Sequence, residues 1–274
     1  MGPWVNDPLL KELLNNSGLP ITGTADELLH YTLRAFSRIP YENITKIDSF
    51  NELGIRSAKH TPDELVARYI SKGTGGTCFP LTLTLRRFIT SLGYEAHPIL
   101  ADRRYGSDTH CAVIFRHKES PWQIVDPGYL INSPCALPPD NFSVRYQLGF
   151  TTIELRHQGS DEKIELFTSI GSEAESLRYR LTYKIHPVDE VVFNSAWDRS
   201  FTFEMMEYPV ISLACGGSHI YIQRDTITVR DGKIKKRITL PADQLIMESA
   251  KLTGIDQALL ARVIGDFVRL DRSP

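Results

Sequence analysis

Three residues of the 274-residue chain have the side chains and surroundings that nucleophilic acyl transfer requires: Cys78, His110 and Asp126. Such chemistry needs a base to make a thiolate, a third group to orient that base, and backbone donors for the developing oxyanion. Cys78 follows the run Gly73-Thr74-Gly75-Gly76-Thr77, whose glycines permit a tight turn into a helix. At a helix N-terminus the macrodipole and unpaired N–H groups favour thiolate over thiol. His110 opens a strand-like run after the polar loop Asp102 to Asp108, and imidazole titrates in the range that proton transfer near neutrality needs. Asp126 closes the apolar run Trp122 to Val125, where a partly buried carboxylate can accept the other imidazole N–H and fix the tautomer. Each residue alone reads at least as readily in a structural role. Cys78 would then be a buried thiol after a turn, His110 a surface histidine, and Asp126 the first residue of an Asp-Pro-Gly turn. Seven other histidines compete with His110, and His117 reads as solvated. One helix start and two consecutive strands make the set more specific than its members.

The other cysteines have no such setting. Cys111 alternates within an apolar run and Cys215 precedes two glycines; both read as small buried apolar residues, and Cys135 lies in a Pro-rich loop. No Cys-x-x-Cys pair occurs, so free thiols in a reducing compartment are expected, with no metal site. The formal charge of −2 and pI near 6.5 give no nucleic-acid footprint, so an anionic ligand needs a local basic patch. There is no signal-peptide pattern and no apolar run long enough for a bilayer, so the expected location is cytoplasmic with no membrane contact.

Helices dominate the first ninety residues. Asp7-Pro8, Thr24-Ala25-Asp26-Glu27 and Thr61-Pro62-Asp63-Glu64 are helix-start patterns, with stops near Gly18, before Pro40 and at Gly73. A fourth helix follows Cys78 with Leu81, Leu85, Phe88, Ile89 and Leu92 on one face, ending at Gly93. Then the period changes to two. Strands are expected over 97–101, 110–115, 122–125, 144–148, 152–156, 164–168 and 178–185, forming an antiparallel barrel or strongly curved sheet. A mixed section follows, with strands over 201–205 and 210–214. A hairpin of 220–230 and 234–240 turns at Asp231-Gly232, and two helices span 241–249 and 256–270. The fold class is α+β, in three parts: 1–95 carrying the nucleophile, 96–187 carrying His110 and Asp126, and 188–274.

The chain resembles the arylamine N-acetyltransferase family, a Cys-His-Asp group akin to papain-like and transglutaminase-like enzymes. Ile39-Pro40-Tyr41-Glu42-Asn43-Ile44 is similar to the family's Pro-Phe-Glu-Asn-Leu signature. Gly73 to Phe79 is similar to its Gly-Arg-Gly-Gly-aromatic-Cys-Phe motif, and Thr109-His110 and Val125-Asp126-Pro127-Gly128 to its Thr-His and Val-Asp-Val-Gly elements. The chain departs at Thr74 for arginine, Thr77 for the aromatic residue, and Pro80 and Thr82 for the glutamate and asparagine after Cys-Phe. The resemblance implies a helical bundle, a β-barrel and an α/β lid, with Cys78 as nucleophile, His110 as base, Asp126 as orienter, and Phe79, Thr109 and Gly128 near the substrate. It further implies acetyl-CoA as acyl donor and an arylamine, hydrazine or N-hydroxyarylamine as acceptor. Arg103, Arg104 and the cluster Lys233, Lys235, Lys236 and Arg237 are candidate partners for the CoA phosphates. The four departures motivate one rival, an amide synthase or transglutaminase-like amidohydrolase using another acyl donor; a second, a non-catalytic protein that keeps the fold, is opposed by the intact Cys78, His110 and Asp126.

Overall fold

Side chains set the helix starts as the sequence patterns require. The computed structural model describes residues 4–271 except 150, 160, 161, 171–176, 216 and 233. Asp7 Oδ1 accepts the N–H of Leu9 at 2.9 Å and begins α1 (Pro8–Asn16). Thr24 and Glu27 form a capping box on α2 (Ala25–Phe36). A two-residue strand β1 (Tyr41–Glu42) precedes α3 (Ile44–Leu53) and α4 (Ile55–Ala58). Neither of those helices was expected. Asn43 does not cap α3 with its side chain; it accepts the N–H of Val210 at 2.8 Å and donates to Tyr208 O at 2.8 Å. The usual start signal is therefore missing from the local sequence. Thr61 and Glu64 cap α5 (Pro62–Lys72), and α6 (Cys78–Ser91) begins at the candidate nucleophile.

Eight antiparallel strands then wrap into a nearly closed barrel. They are β2 (Glu95–Arg103), β3 (Gly106–Arg116), β4 (Gln123–Asp126), β5 (Ile131–Ala136), β6 (Ser143–Leu148), β7 (Thr151–His157), β8 (Lys163–Ile170) and β9 (Arg178–Lys184), in the order β5-β4-β3-β2-β9-β8-β7-β6. The Tyr146 hydroxyl on β6 donates to Ala136 O on β5 at 3.0 Å and draws the two edge strands together. Ile99, Ala112, Ile114, Ile153, Leu155 and Leu181 fill the interior. The polar loop after β2 is shorter than expected, because strand pairing continues to Arg103 opposite Gly106. The sequence patterns did not show β5. Pro134 interrupts its run, and proline is tolerated there because β5 lies at a sheet edge.

The last part contributes α7 (Glu190–Arg199), the strands β10 (Val210–Cys215), β11 (Ser218–Gln223), β12 (Thr226–Asp231) and β13 (Ile234–Thr239), and the helices α8 (Ala242–Thr253) and α9 (Gln257–Asp271). Its sheet runs β1-β10-β11-β12-β13, so the short strand before α3 joins the C-terminal strands. Two expectations fail here. The segment expected as a strand over 201–205 forms two 3-10 turns, Ser200–Thr202 and Glu204–Met206. Ser200 and Thr202 hydroxyls donate to Trp197 O and Arg199 O, which keeps the chain coiled after α7. The long strand expected over 220–230 is broken at Arg224-Asp225, where Arg224 takes φ 55°, a left-handed turn at a residue type that does not announce one. Cys111 is buried as expected; Cys215, expected to be buried, is exposed at the end of β10, and Cys135, expected in a loop, is buried in β5. None of the described helices is long and apolar enough to cross a membrane.

Candidate active site

The loop before Cys78 is held from behind by Glu42. This side chain is fully buried, accepting Gly75 N–H at 3.1 Å, Thr45 N–H at 2.9 Å and the Thr45 hydroxyl at 2.6 Å. Burial pushes the Glu42 carboxyl up from its ordinary range, while the donors from Thr45 and Gly75 pull it back. Glu42 N–H also donates to Gly76 O at 3.0 Å. The approach is so close that a Cβ on Gly75 would lie 1.8 Å from Pro40 O, so only glycine fits. Thr74 and Thr77, which stand at two of the departures from the family motif, have buried hydroxyls with no hydrogen-bond partner among the described residues. Glu42 and main-chain contacts thus fix the loop without a charged residue at position 74.

Consecutive barrel strands bring His110 and Asp126 to this helix start. His110 Nε2 lies 2.7 Å from Asp126 Oδ2, and both side chains are wholly shielded from solvent. The Asp126 carboxylate is saturated. Oδ2 also accepts the Tyr183 hydroxyl at 2.6 Å, while Oδ1 accepts Gly128 N–H at 2.9 Å and Tyr129 N–H at 3.2 Å. Asp126 thus opens an Asp-Pro-Gly turn with one oxygen and is hydrogen-bonded to the imidazole through the other. A Cβ placed on Gly128 would lie 2.6 Å from His110 Cε1, 3.2 Å from Asp126 Oδ1 and 3.4 Å from Cys78 Cβ. Gly128 thus sits against all three side chains.

Three groups and burial set the charge of Cys78. In this geometry the Cys111 S–H donates to Thr82 Oγ1 at 3.4 Å, and the hydrogen-bonding influence of the Cys111 thiol is the largest that lowers the Cys78 pKa. Burial opposes it, and the charge and hydrogen bond of His110 and the charge of Arg103 add to it, leaving Cys78 well below the ordinary thiol value. Cys111 moves the other way, raised by burial and by the Cys78 thiolate, so it is the one of the two that keeps its proton. Burial is the largest influence on His110 and works against its charged form, but the charge and hydrogen bond of Asp126 and the charge of Cys78 together outweigh it, and the imidazole pKa rises. The Arg103 guanidinium lies 3.0 Å from His110 Nδ1 and its charge opposes that of the ring; whenever the ring is neutral, this contact leaves its hydrogen on Nε2, toward Asp126. Thiolate beside imidazolium is the state these shifts favour.

The sequence singled out the triad but not its supports. Cys111 read as structural, Arg103 only as a partner for phosphates, and Tyr183 and Tyr129 carried no signal. Of the residues expected near the substrate, Gly128 lines a cavity of about 640 Å³ that adjoins the triad through Gly128 and Arg103, while Cys78, His110 and Asp126 are not part of its lining. Phe79 is buried in the core, its ring stacked on Trp197 at 6.0 Å. Thr109 is also buried, its hydroxyl donating to Gly106 O at 3.1 Å in the β2–β3 turn. Arg103 and Arg104 line the same cavity as Gly128; Lys235 and Arg237 line a smaller one of about 280 Å³; Lys236 is exposed; Lys233 lies outside the described residues.

The family model described as N-acetyltransferase matches residues 24–249. Among curated proteins, none matches the sequence. Solved structures share the fold. An arylamine N-acetyltransferase of Mycobacterium smegmatis, solved as a single-residue variant, superposes with a TM-score of 0.75 at 19% identity, over 92% of this chain and 97% of that one. A Bacillus cereus arylamine N-acetyltransferase described with a Cys-His-Glu triad gives 0.72 at 17% identity, over 91% and 99%. The Mycobacterium marinum enzyme in complex with CoA gives 0.73 at 13% identity, over 93% and 98%.

Proposed function

Because the chain belongs to the N-acetyltransferase family and has the fold of the arylamine N-acetyltransferases, we propose that Cys78, His110 and Asp126 carry out its acetyl transfer as nucleophile, base and orienter. The observation that carries these roles is the fully buried His110–Asp126 pair, 2.7 Å apart, set against a cysteine whose thiol is held in the anionic form.

Two half-reactions follow. Cys78 Sγ attacks the thioester carbonyl of acetyl-CoA, the carbon–sulfur bond to CoA breaks, and His110 supplies the proton that leaves with the CoA thiol. The amine of an arylamine, hydrazine or N-hydroxyarylamine then attacks the acetyl-cysteine, His110 takes its proton, and the Cys78 thiolate returns. Thr77 makes no side-chain cap at the start of α6, so N–H groups of that first turn remain for the oxyanion. Asp126 keeps the imidazole in the tautomer that faces the sulfur, and Gly128 leaves room for the acyl group that a larger residue would fill. Phe79 and Thr109 serve indirectly, one anchoring α6 against α7 and the other shaping the turn that carries Arg103. The division at 95 and 188 assigns the nucleophile, its base, and the cover over both to successive parts of the chain. Four free cysteines, two of them in the site itself, fit a reducing cytoplasm.

Initial rates test this scheme. With acetyl-CoA and an arylamine varied together, double-reciprocal plots should be parallel, the pattern of a covalent intermediate. Lines that converge would show both substrates bound at once and would contradict it.

A further inference from the structure

Tyr41 stands where the family motif has phenylalanine, so this chain carries one extra hydroxyl beside the nucleophile loop. β1 has only two residues, and strand neighbours face opposite ways. Glu42 lies opposite Ile211, which is buried in the core with Leu245 and Leu260, and it holds the loop from behind. Tyr41 lies opposite Ser212 on the other face, and both line the cavity of about 640 Å³. The nucleophile loop runs alongside. Tyr41 is bridged to Gly76, two residues before Cys78. Gly128 shares the cavity wall with Tyr41, and a Cβ added to it would lie 3.4 Å from Cys78 Cβ. Tyr41 and Cys78 thus flank the corner at which the cavity adjoins the triad.

The hydroxyl is poorly satisfied in the resting enzyme. Tyr41 is only 6% exposed, and its one hydrogen-bond partner among the described residues is the Met205 thioether, with Oη 3.9 Å from Sδ. A thioether is a weak acceptor. Phenylalanine would fill the same space without a buried donor to satisfy. The phenol also keeps its proton. Burial first, and then the charge of Cys78, raise the Tyr41 pKa well above its ordinary value, with the Arg103 charge opposing them. Among the charges that act on this phenol, that of Cys78 is the largest.

An acceptor forms during the reaction. Attack of Cys78 Sγ on the thioester carbonyl puts negative charge on the carbonyl oxygen, and attack of the amine on the acetyl-cysteine does so again. We propose that Tyr41 is a further catalytic residue, whose hydroxyl donates a hydrogen bond to this oxygen in both half-reactions, alongside the N–H groups at the start of α6. A preorganised donor of this kind acts on the transition state more than on the bound substrate, so it raises kcat with little effect on KM. The proposal rests on the acetyl-transfer reading of the triad.

The test is Tyr41→Phe, which removes one oxygen and restores the motif residue. Intact mass, sampled over time after mixing with saturating acetyl-CoA, gives the rate of Cys78 acetylation, and adding an arylamine gives the rate of discharge. Both rates should fall about a hundredfold, the order expected when one oxyanion donor is lost. The KM for acetyl-CoA, the Tm and the pH profile of Cys78 alkylation should stay as in wild type. Acetylation and discharge at wild-type rates would overturn the proposal while leaving acetyl transfer in place. So would a slower acetylation matched by an alkylation profile shifted to higher pH, since the hydroxyl would then serve the thiolate. A change confined to the KM for the arylamine would overturn it too, since the hydroxyl would then only bind the acceptor. Absence of an acetyl adduct on wild type would instead remove the acetyl-transfer reading, and the proposal with it.

Discussion

Cys111 is one strand position from His110 and packs against Thr82 of α6, where its thiol lowers the Cys78 pKa. A buried thiol whose hydrogen bonding favours a thiolate lowers the proton affinity of that sulfur. Replacing Cys111 with alanine should therefore raise the Cys78 pKa and shift the pH dependence of its alkylation by a small electrophile to higher pH. The plateau between the depressed thiol pKa and the raised imidazole pKa narrows from its acid side. An unchanged alkylation profile would mean that His110 and Arg103 set the thiolate alone. Sequence reasoning singled out Cys78 and Asp126 because each sits at an element boundary marked by turn residues, and His110 because it heads the apolar part of a strand that in fact begins at Gly106. It missed Cys111, Tyr183 and the Arg103–His110 contact because these depend on which strands pair. Ala101 opposite Tyr183 in the β2–β9 register, for instance, carries no local mark.

At the scale of elements, the nucleophile loop and the C-terminal sheet share one anchor. Tyr41 and Glu42 pair with Ser212 and Ile211 on β10, and Tyr41 also bridges to Gly76. Glu42 thus ties the turn before Cys78 to a sheet that begins more than a hundred and sixty residues later in the sequence. Glu42→Ala leaves Gly75 N–H and Thr45 buried without their acceptor, a loss on the order of 1–3 kcal/mol. We expect a lower Tm and a marked fall in the rate of Cys78 acylation, whereas Glu42→Gln, which keeps an acceptor for Gly75, should recover part of both. Equal Tm for Glu42→Ala and wild type, by calorimetry, would show that the loop does not depend on this carboxylate. Helix starts were legible because caps are local: Asp7, Thr24 and Thr61 each act within three residues. The start of α3 was not, because Asn43 spends its side chain on a distant strand. Among strands, periodicity located all the long ones of the barrel and failed where a proline or an unmarked left-handed residue intervened.

For the whole molecule, two buried neutral histidines outside the triad make the fold acid-sensitive. His60, bonded to Ser49 Oγ at 3.1 Å, is held down to about 4, first by burial and then by Arg68. His219, bonded to Ser212 Oγ at 2.9 Å, is likewise held down to about 4 by burial and by Arg230. Both folded-state values lie below the unfolded one, so between them the unfolded chain binds more protons and stability rises with pH. The contribution is complete above about pH 6.5 and is lost as pH falls toward 4, at roughly 3 kcal/mol per histidine. Chemical denaturation across that range should show the decline, and His60→Asn should flatten part of it. A stability that stays level from pH 7 to pH 4 would contradict the assignment of buried neutral rings. This is a property of packing between elements, and nothing in the spacing of eight histidines distinguished these two from the exposed His117.

The most direct test of the central claim is the intact mass of the enzyme after brief exposure to acetyl-CoA, for wild type and for Cys78→Ala. One acetyl group on the wild type, none on the folded variant, and its removal on adding an arylamine or hydrazine is the result expected of a Cys78 nucleophile. An adduct of equal yield on Cys78→Ala, or acetyl transfer by that variant at an appreciable rate, would contradict it.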